Sequence, residues 1–279
     1  MKEASQKAAV LIEALPYIRR WAGKTIVVKF GGEIVEDPSS FESLITDIVL
    51  MRFVGIDVVL VHGAGPQISR AMRELGTEPR FIDGHRVTDV DTVNTVKSVM
   101  DGVRQQIVSA LWQHGADGRG FAGEDMVTVR ARDERLGFVG DVERIDAYSI
   151  TKVLGFGIVP VVTPMGSGPG GIYNTNADIV AGALAGWLHA TKIVFLTNVP
   201  GLYRDLGDED SLVSEISVDH LEKLLEDGSL SDGMIPKITA AVEAMRSGVA
   251  QVHLLDGRVP HALLLEVFTD KGVGTMVLP

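Results

Sequence analysis

Apolar residues gather in six short runs, rich in β-branched side chains and bounded by glycine or polar residues. These are TIVVKF (25–30), DVVLVH (57–62), IVPVVT (158–163), KIVFLT (192–197), AQVHLL (250–255) and GTMVL (274–278). Runs of this kind predict strands of a parallel sheet, buried on both faces. Between them apolar positions recur at helical spacing over 39–54, 66–76, 89–114, 146–155, 177–189, 218–227 and 236–247. Ser39 or Ser40, and Asp89, stand where N-caps are expected. Strands alternating with helices predict an α/β fold: a three-layer sandwich with a mainly parallel central sheet and right-handed crossovers. Residues 121–146 alternate with turns and predict a small antiparallel excursion from that sheet.

Ahead of the first strand, Ala8, Ala9, Leu11, Ile12, Leu15, Ile18 and Trp21 share one helical face. This predicts an N-terminal helix over 4–21 that packs on its own domain or on a neighbouring subunit, with Pro16 kinking or splitting it.

Glycines placed between a strand and a helix leave backbone N–H groups exposed to an anion. GKT at 23–25 imitates the end of a phosphate loop, but position 18 is Ile and the tripeptide precedes its strand. GSGPGG (166–171) fits a dinucleotide pattern but leads into IYNTNAD, with no acid after the following strand, and reads as a flexible loop. Gly31–Gly32 and Gly63–Gly65 are better placed. Both are expected at carboxyl ends of neighbouring parallel strands, where open α/β sheets bind ligands.

Charged residues sharpen the picture. Lys29 ends the first strand beside Gly31. Asn174, Asn176 and Asp178 open an apolar helix, where those residue types also serve as caps. Lys237 falls in a helix's first turn, the wrong end for a cation unless an anion is near. Arg86, on a turn, suits a carboxylate clamp.

Composition narrows the function classes. A net charge of −11 argues against a nucleic-acid partner, and the 46% hydrophobic fraction supplies an ample core. The absence of cysteine removes disulfides and thiolate nucleophiles, in keeping with a cytoplasmic protein. No run is long and apolar enough to span a bilayer, and the N-terminus lacks the order of a signal peptide.

The motifs VVKFGG, VVLVHGAGPQI, FIDGHRVTD, GFVGDV, YNTNADIVAGALA, FLTNVPGLY, DGMIPKI and DGRVPHALLLEVFTDKGVGTMV, in this order, resemble the amino-acid kinase family across nearly the whole chain. EALPYIRRWAGK and EVFTDKGVGT are similar to its arginine-inhibited, hexameric branch, in which the leading helix links dimers into a trimer of dimers. The resemblance implies the amino-acid kinase fold over 24–279 after an oligomerisation helix over 1–23. It implies an acid-substrate lobe over 24–173 and a nucleotide lobe over 174–279. It implies ATP-dependent phosphorylation of the side-chain carboxylate of N-acetyl-L-glutamate in arginine biosynthesis, with Mg2+ carried on ATP and no metal held by the protein.

On this resemblance Lys29 and Lys237 flank the phosphoryl group and Asp178 holds them. Gly63, Ala64, Gly65, Arg86, Asn174 and Asn176 bind the acid. Gly31, Gly32, Thr197, Asn198, Gly201, Leu202, Tyr203, Ser231, Gly233 and Met234 serve the phosphates and nucleotide. Tyr17, His253, Glu266 and Gly274 form an L-arginine effector site. The chain departs from the family pattern at Ala64, where a glycine is usual, at Arg104–Gln105, where an Asn-Lys pair is common, and at Glu124, which replaces a lysine. These departures leave two alternatives open: a kinase for a different acylated amino acid, or a catalytically weak arginine-sensing homologue.

Overall fold

The computed structural model describes residues 2–204, 208–230, 233–269 and 272–279. The chain opens with α1 (Lys2–Trp21), β1 (Thr25–Phe30), α2 (Gly32–Glu36), α3 (Pro38–Phe53), β2 (Asp57–His62) and α4 (Gly65–Glu74). It continues through β3 (Phe81–Ile82), β4 (His85–Arg86), α5 (Val90–Gln113), β5 (Gly118–Phe121), β6 (Val127–Ala131) and β7 (Gly140–Ile145). Then come α6 (Tyr148–Leu154), β8 (Val159–Val162), β9 (Met165–Gly168), β10 (Gly171–Asn174), α7 (Ala177–Trp187) and β11 (Lys192–Thr197). It closes with β12 (Glu215–Ser217), α8 (Val218–Glu226), α9 (Ile235–Arg246), β13 (Gln251–Asp256), α10 (Ala262–Phe268) and β14 (Thr275–Leu278).

One eight-stranded sheet has the order β12-β14-β13-β11-β1-β2-β8-β5. All six expected strands lie in it, and its pairings are parallel except β13 with β14. GTMVL (β14) is antiparallel to β13 while parallel to β12, so the sheet is mixed at this edge, a difference its apolar run does not encode. Strand alternation sorts the core into two layers. Ile26, Val28, Phe30, Val58 and Leu60 pack with α3, α4, α5 and α10 on one face. Val27, Val59, Val61, Ile193 and Phe195 pack with α6, α7, α8 and α9 on the other. The three-layer architecture is thus written into the period of two along each strand.

The excursion expected over 121–146 holds the antiparallel pair β6–β7, and a parallel β6–β9 pairing joins it to the antiparallel β9–β10 hairpin in a mixed four-stranded sheet, β10-β9-β6-β7. This sheet absorbs GSGPGG, which forms the β9–β10 hairpin with Gly170 and Gly171 at positive φ and is not a flexible loop. Helix α3 is capped by Asp37, whose side chain accepts from the Ser40 N–H at 2.7 Å, and not by Ser39 or Ser40. Pro38 at the first helical position, its φ already helical, moves the start upstream. Asp89 caps α5 as expected, accepting from the Thr92 N–H.

Helix α1 runs unbroken through Pro16. Trp21 is buried against the core, whereas Val10, Leu11, Ile12 and Leu15 are exposed; the side chain of Ala8 lies outside the described residues. These four side chains therefore do not pack on their own domain. Among the described residues no helix is long and apolar enough to cross a membrane.

Candidate active site

Lys29 is two residues beyond Val27 and shares its face of β1, the face covered by α7. Its Nζ lies 2.8 Å from Asp178 Oδ1. Asp178 sits in the first turn of α7, where Asn176 caps the helix by accepting from the N–H groups of Asp178 and Ile179. Lys237 occupies the first turn of α9, and its Nζ is 3.3 Å from the other oxygen, Asp178 Oδ2. Gly182 makes this meeting possible. A Cβ there would come within 2.8 Å of the Ala240 carbonyl oxygen, so only glycine lets α7 and α9 approach this closely one turn beyond the pair.

Two cations from distant segments therefore share one buried carboxylate. Burial alone pushes the Asp178 pKa up, but the charges of Lys29 and Lys237 outweigh it and hold the carboxyl below its ordinary range. Asp178 stays anionic. No side chain here is poised as a general base; the arrangement offers positive charge held in place.

Beside it lie the glycine turns. Phe30 pairs in register with His62, which sets Gly31–Gly32 next to Gly63–Gly65, and the Gly63 N–H donates to the Phe30 carbonyl at 2.8 Å. A side chain at Gly32 would collide with Gln67 and reach the Ala64 Cα at 3.0 Å, so the two turns touch through bare backbone. Gln67 Nε2 donates to the Gly32 carbonyl at 2.8 Å and braces the contact. Ala64 has φ −148°, where a methyl group carries no left-handed strain, so its replacement of a glycine is accommodated.

Arg86 is buried at the end of β4. Its Nη2 donates to the Gly65 carbonyl (3.1 Å) and Ser69 Oγ (2.9 Å), and the guanidinium stacks 4.8 Å from the Phe81 ring centroid. Among the described residues no carboxylate pairs with it. Burial, with Arg73 adding repulsion, lowers its pKa, as expected for a cation lacking a counterion. Asn174 ends β10 and its Nδ2 is 3.5 Å from Thr88 Oγ1, two residues beyond Arg86. Asn176 also lines a cavity of about 330 Å³ with His85, Arg132 and Pro236.

The expected nucleotide residues are more scattered. Thr197 ends β11, beside β1; its hydroxyl donates to the Val199 carbonyl (2.6 Å) and accepts from the Val199 N–H (3.1 Å), and Asn198 is exposed. Gly201 and Leu202 seat on Thr275, with the Leu202 N–H donating to its Oγ1 at 2.8 Å, and Tyr203 bridges to Leu212. Gly233 and Met234 precede α9, close in sequence to Lys237. Ser231 lies outside the described residues.

A second cavity, of about 390 Å³, brings together Tyr17, His253, Glu266 and Gly274. Trp21, Lys192 and Gln251 also line it, and sequence reasoning missed them. Lys192 Nζ donates to Glu266 Oε1 at 2.9 Å, and His253 Nδ1 lies 2.8 Å from the same oxygen. Burial pushes the Glu266 pKa up, but His253 and Lys192 more than offset this and keep it anionic. Among the described residues Trp21 Nε1 and His253 Nε2 are buried without a hydrogen-bond partner.

Comparison with known proteins places this geometry in context. Residues 24–256 match the model of the amino acid kinase family. An acetylglutamate kinase from Heliobacterium modesticaldum is 44% identical over 294 residues, covering all of both chains. One from Symbiobacterium thermophilum is 44% identical over 99% of each chain. Among solved structures, the N-acetylglutamate synthase of Neisseria gonorrhoeae in complex with coenzyme A and L-arginine superimposes with TM-score 0.83 at 28% identity. That match covers 97% of this chain but only 65% of the synthase chain, so this chain spans just under two thirds of that protein. Carbamate kinase from Giardia lamblia bound to AMP-PNP shares the fold, with TM-score 0.68, 16% identity and coverage of 92% and 99%.

Proposed function

The chain belongs to the amino acid kinase family, and on that premise we infer that it transfers the terminal phosphoryl group of ATP to the side-chain carboxylate of N-acetyl-L-glutamate. The observation that carries the chemistry is one carboxylate, Asp178, held between Lys29 and Lys237. Full-length identity of 44% to acetylglutamate kinases supports the substrate and does not favour a different acylated amino acid or a catalytically weak sensor.

The acceptor carboxylate, with a reference pKa of about 4.3, is ionised at neutral pH and needs no base. One of its oxygens bonds to the γ-phosphorus as the bond from that phosphorus to the β–γ bridging oxygen breaks; acyl phosphate and ADP are the products. The barrier lies in bringing two anions together and in the charge spread over the phosphoryl oxygens. Lys29 and Lys237 neutralise that charge, while Asp178 fixes their positions and removes no proton. Backbone N–H groups of Gly31, Gly32 and the 63–65 turn add donors. Arg86, with Asn174 beside it, takes the α-carboxylate. Asn176 contributes through its amide group, its oxygen being committed to the α7 cap. Thr197–Tyr203 and 231–234 form the nucleotide side. Mg2+ would travel on the ATP phosphates.

The 390 Å³ cavity supports arginine feedback: anionic Glu266 suits a guanidinium, and the Neisseria synthase was solved with L-arginine. The exposed Val10, Leu11, Ile12 and Leu15 of α1 support a role in joining subunits, with a hexameric trimer of dimers as the assembly. A place in arginine biosynthesis in the cytoplasm completes the proposal.

The test is to trap acyl phosphate with hydroxylamine in the presence of ATP and N-acetyl-L-glutamate, with and without arginine. Product is expected, and less of it with arginine. Product only with another acylated amino acid, or arginine binding without turnover, would replace this assignment. Arg86→Ala is expected to raise the KM for the acid by at least tenfold, through loss of a charge-assisted clamp, and to leave the KM for ATP little changed. An unchanged acid KM would count against the clamp.

A further inference from the structure

The departures at Arg104 and Glu124 meet in one charged row. Lys97, Asp101 and Arg104 fall at i, i+4 and i+7 on one face of α5. Lys97 Nζ lies 2.6 Å from Glu124 Oε1 and 2.9 Å from Asp101 Oδ2, and Arg104 Nη2 lies 3.0 Å from Asp101 Oδ1. The Glu124 side chain is only 10% exposed. Among the described residues its Oε2 and Arg104 Nη1 are buried without hydrogen-bond partners. Arg104 also lies over β5, where a Cβ on Gly120 would meet its Cδ at 2.9 Å.

The row runs beneath the carboxyl ends of three adjacent strands. Glu124 sits on the turn after β5, and this turn is fixed to the end of β8 by the Gly123 N–H, which donates to Thr163 Oγ1 at 2.9 Å. A Cβ on Gly123 would strike the carbonyl oxygens of Thr163 and Met165, so the turn lies directly on the chain leading through β9 and β10 to Asn174. On the other side is His62, fully buried at the end of β2 and immediately before the Gly63–Gly65 turn, its Nε2 without a hydrogen-bond partner among the described residues. Burial pushes the His62 pKa down to about 4, and the charges of Arg104 and Asp101 act on its ring. The helix itself is capped by Asp89, three residues after Arg86, and Asn174 Nδ2 lies 3.5 Å from Thr88 Oγ1.

We propose that Lys97 and Glu124 are positioning residues for the acid substrate: their contact ties α5, and with it the Arg86 segment, to the strand ends that carry Asn174 and the 63–65 turn. Where the family pattern has a lysine at position 124, this chain places the anion on the turn and draws the cation from the helix. The proposal rests on the assignment of this lobe to the acid. It concerns geometry, since neither residue touches the phosphoryl group.

The test is a double-mutant cycle of Lys97→Met, Glu124→Gln and both together in the full chain. It reads steady-state constants for acid and ATP, calorimetric affinity for N-acetyl-L-glutamate without ATP, and Tm. Each single variant is expected to raise the acid KM and Kd roughly tenfold and to leave the KM for ATP within about twofold. The double variant is expected to be no worse than the poorer single, because the two changes break one contact. Glu124→Asp is expected to recover part of the loss. Additive effects, acid and ATP constants rising together with a lowered Tm, or an unchanged acid KM would each overturn the proposal. A wild-type protein that neither binds nor phosphorylates N-acetyl-L-glutamate would remove the substrate assignment, and this proposal with it. An active wild type with unaffected variants would remove this proposal alone.

Discussion

Replacing Lys29 by alanine is expected to lower kcat by about two orders of magnitude or more, with a much smaller change in either KM. Lys29 is 7% exposed at the end of β1, directly before the Gly31–Gly32 turn and on the α7 face of the sheet. An ammonium group in so dry a place is worth far more to a developing charge than one in water. On the proposed assignment the nucleotide segments, the glycine turns and Arg86 also hold the bound reactants, so the loss would fall on the transition state. Lys237→Ala is expected to behave alike from the opposite side. Combining the two should cost less than the product of the single effects, because both act on the same phosphoryl oxygens. Steady-state kinetics on variants shown to be folded by circular dichroism decides this. Near-wild-type turnover in either single variant would remove that lysine from the mechanism.

Much of this site was readable from residue order because its chemistry sits where periodicity changes. Lys29 and Gly31–Gly32 mark the end of a period-two run, and Asp178 and Lys237 mark the starts of period-3.6 runs. What residue order withheld is the distance between them. The approach of Lys237 to Asp178 depends on Gly182 lying against the Ala240 carbonyl, a fact about two helices meeting in space. Lys192 was hidden for a related reason. A lysine opening a buried strand looks like the strand's polar boundary, yet its partner Glu266 is 74 residues away and Trp21 stacks over its ammonium at 4.7 Å. The GSGPGG stretch misled in the other direction. Its glycines serve a hairpin in which side chains at Gly166 and Gly168 would strike Val129, so they answer to strand packing and not to mobility. Prolines exert local control, as at Pro38, but Pro16 shows that a helix held at its C-terminal end by a buried Trp21 can carry one internally.

Asp178→Asn is the second variant expected to have a large effect, and it tests whether the carboxylate holds the two lysines. The amide preserves volume and leaves Lys29 and Lys237 facing each other without an intervening charge. Breaking a buried ion pair from one side costs about 3 kcal/mol or more, so a clear fall in Tm is expected. A drop in kcat of at least tenfold should accompany it, as the ammonium groups move apart. The pH dependence follows from the sign of the shift. Lys29 and Lys237 hold the native carboxyl below the ordinary carboxylate range despite burial, so the unfolded chain takes up this proton first as acid is added. The wild type's stability advantage over the Asn variant is therefore complete above the unfolded value near pH 4. It is lost as the pH falls through the depressed native value. An Asn variant with wild-type Tm at neutral pH, or one whose stability gap persists unchanged into strong acid, would show that the carboxylate is not what keeps two cations within reach of one phosphoryl group.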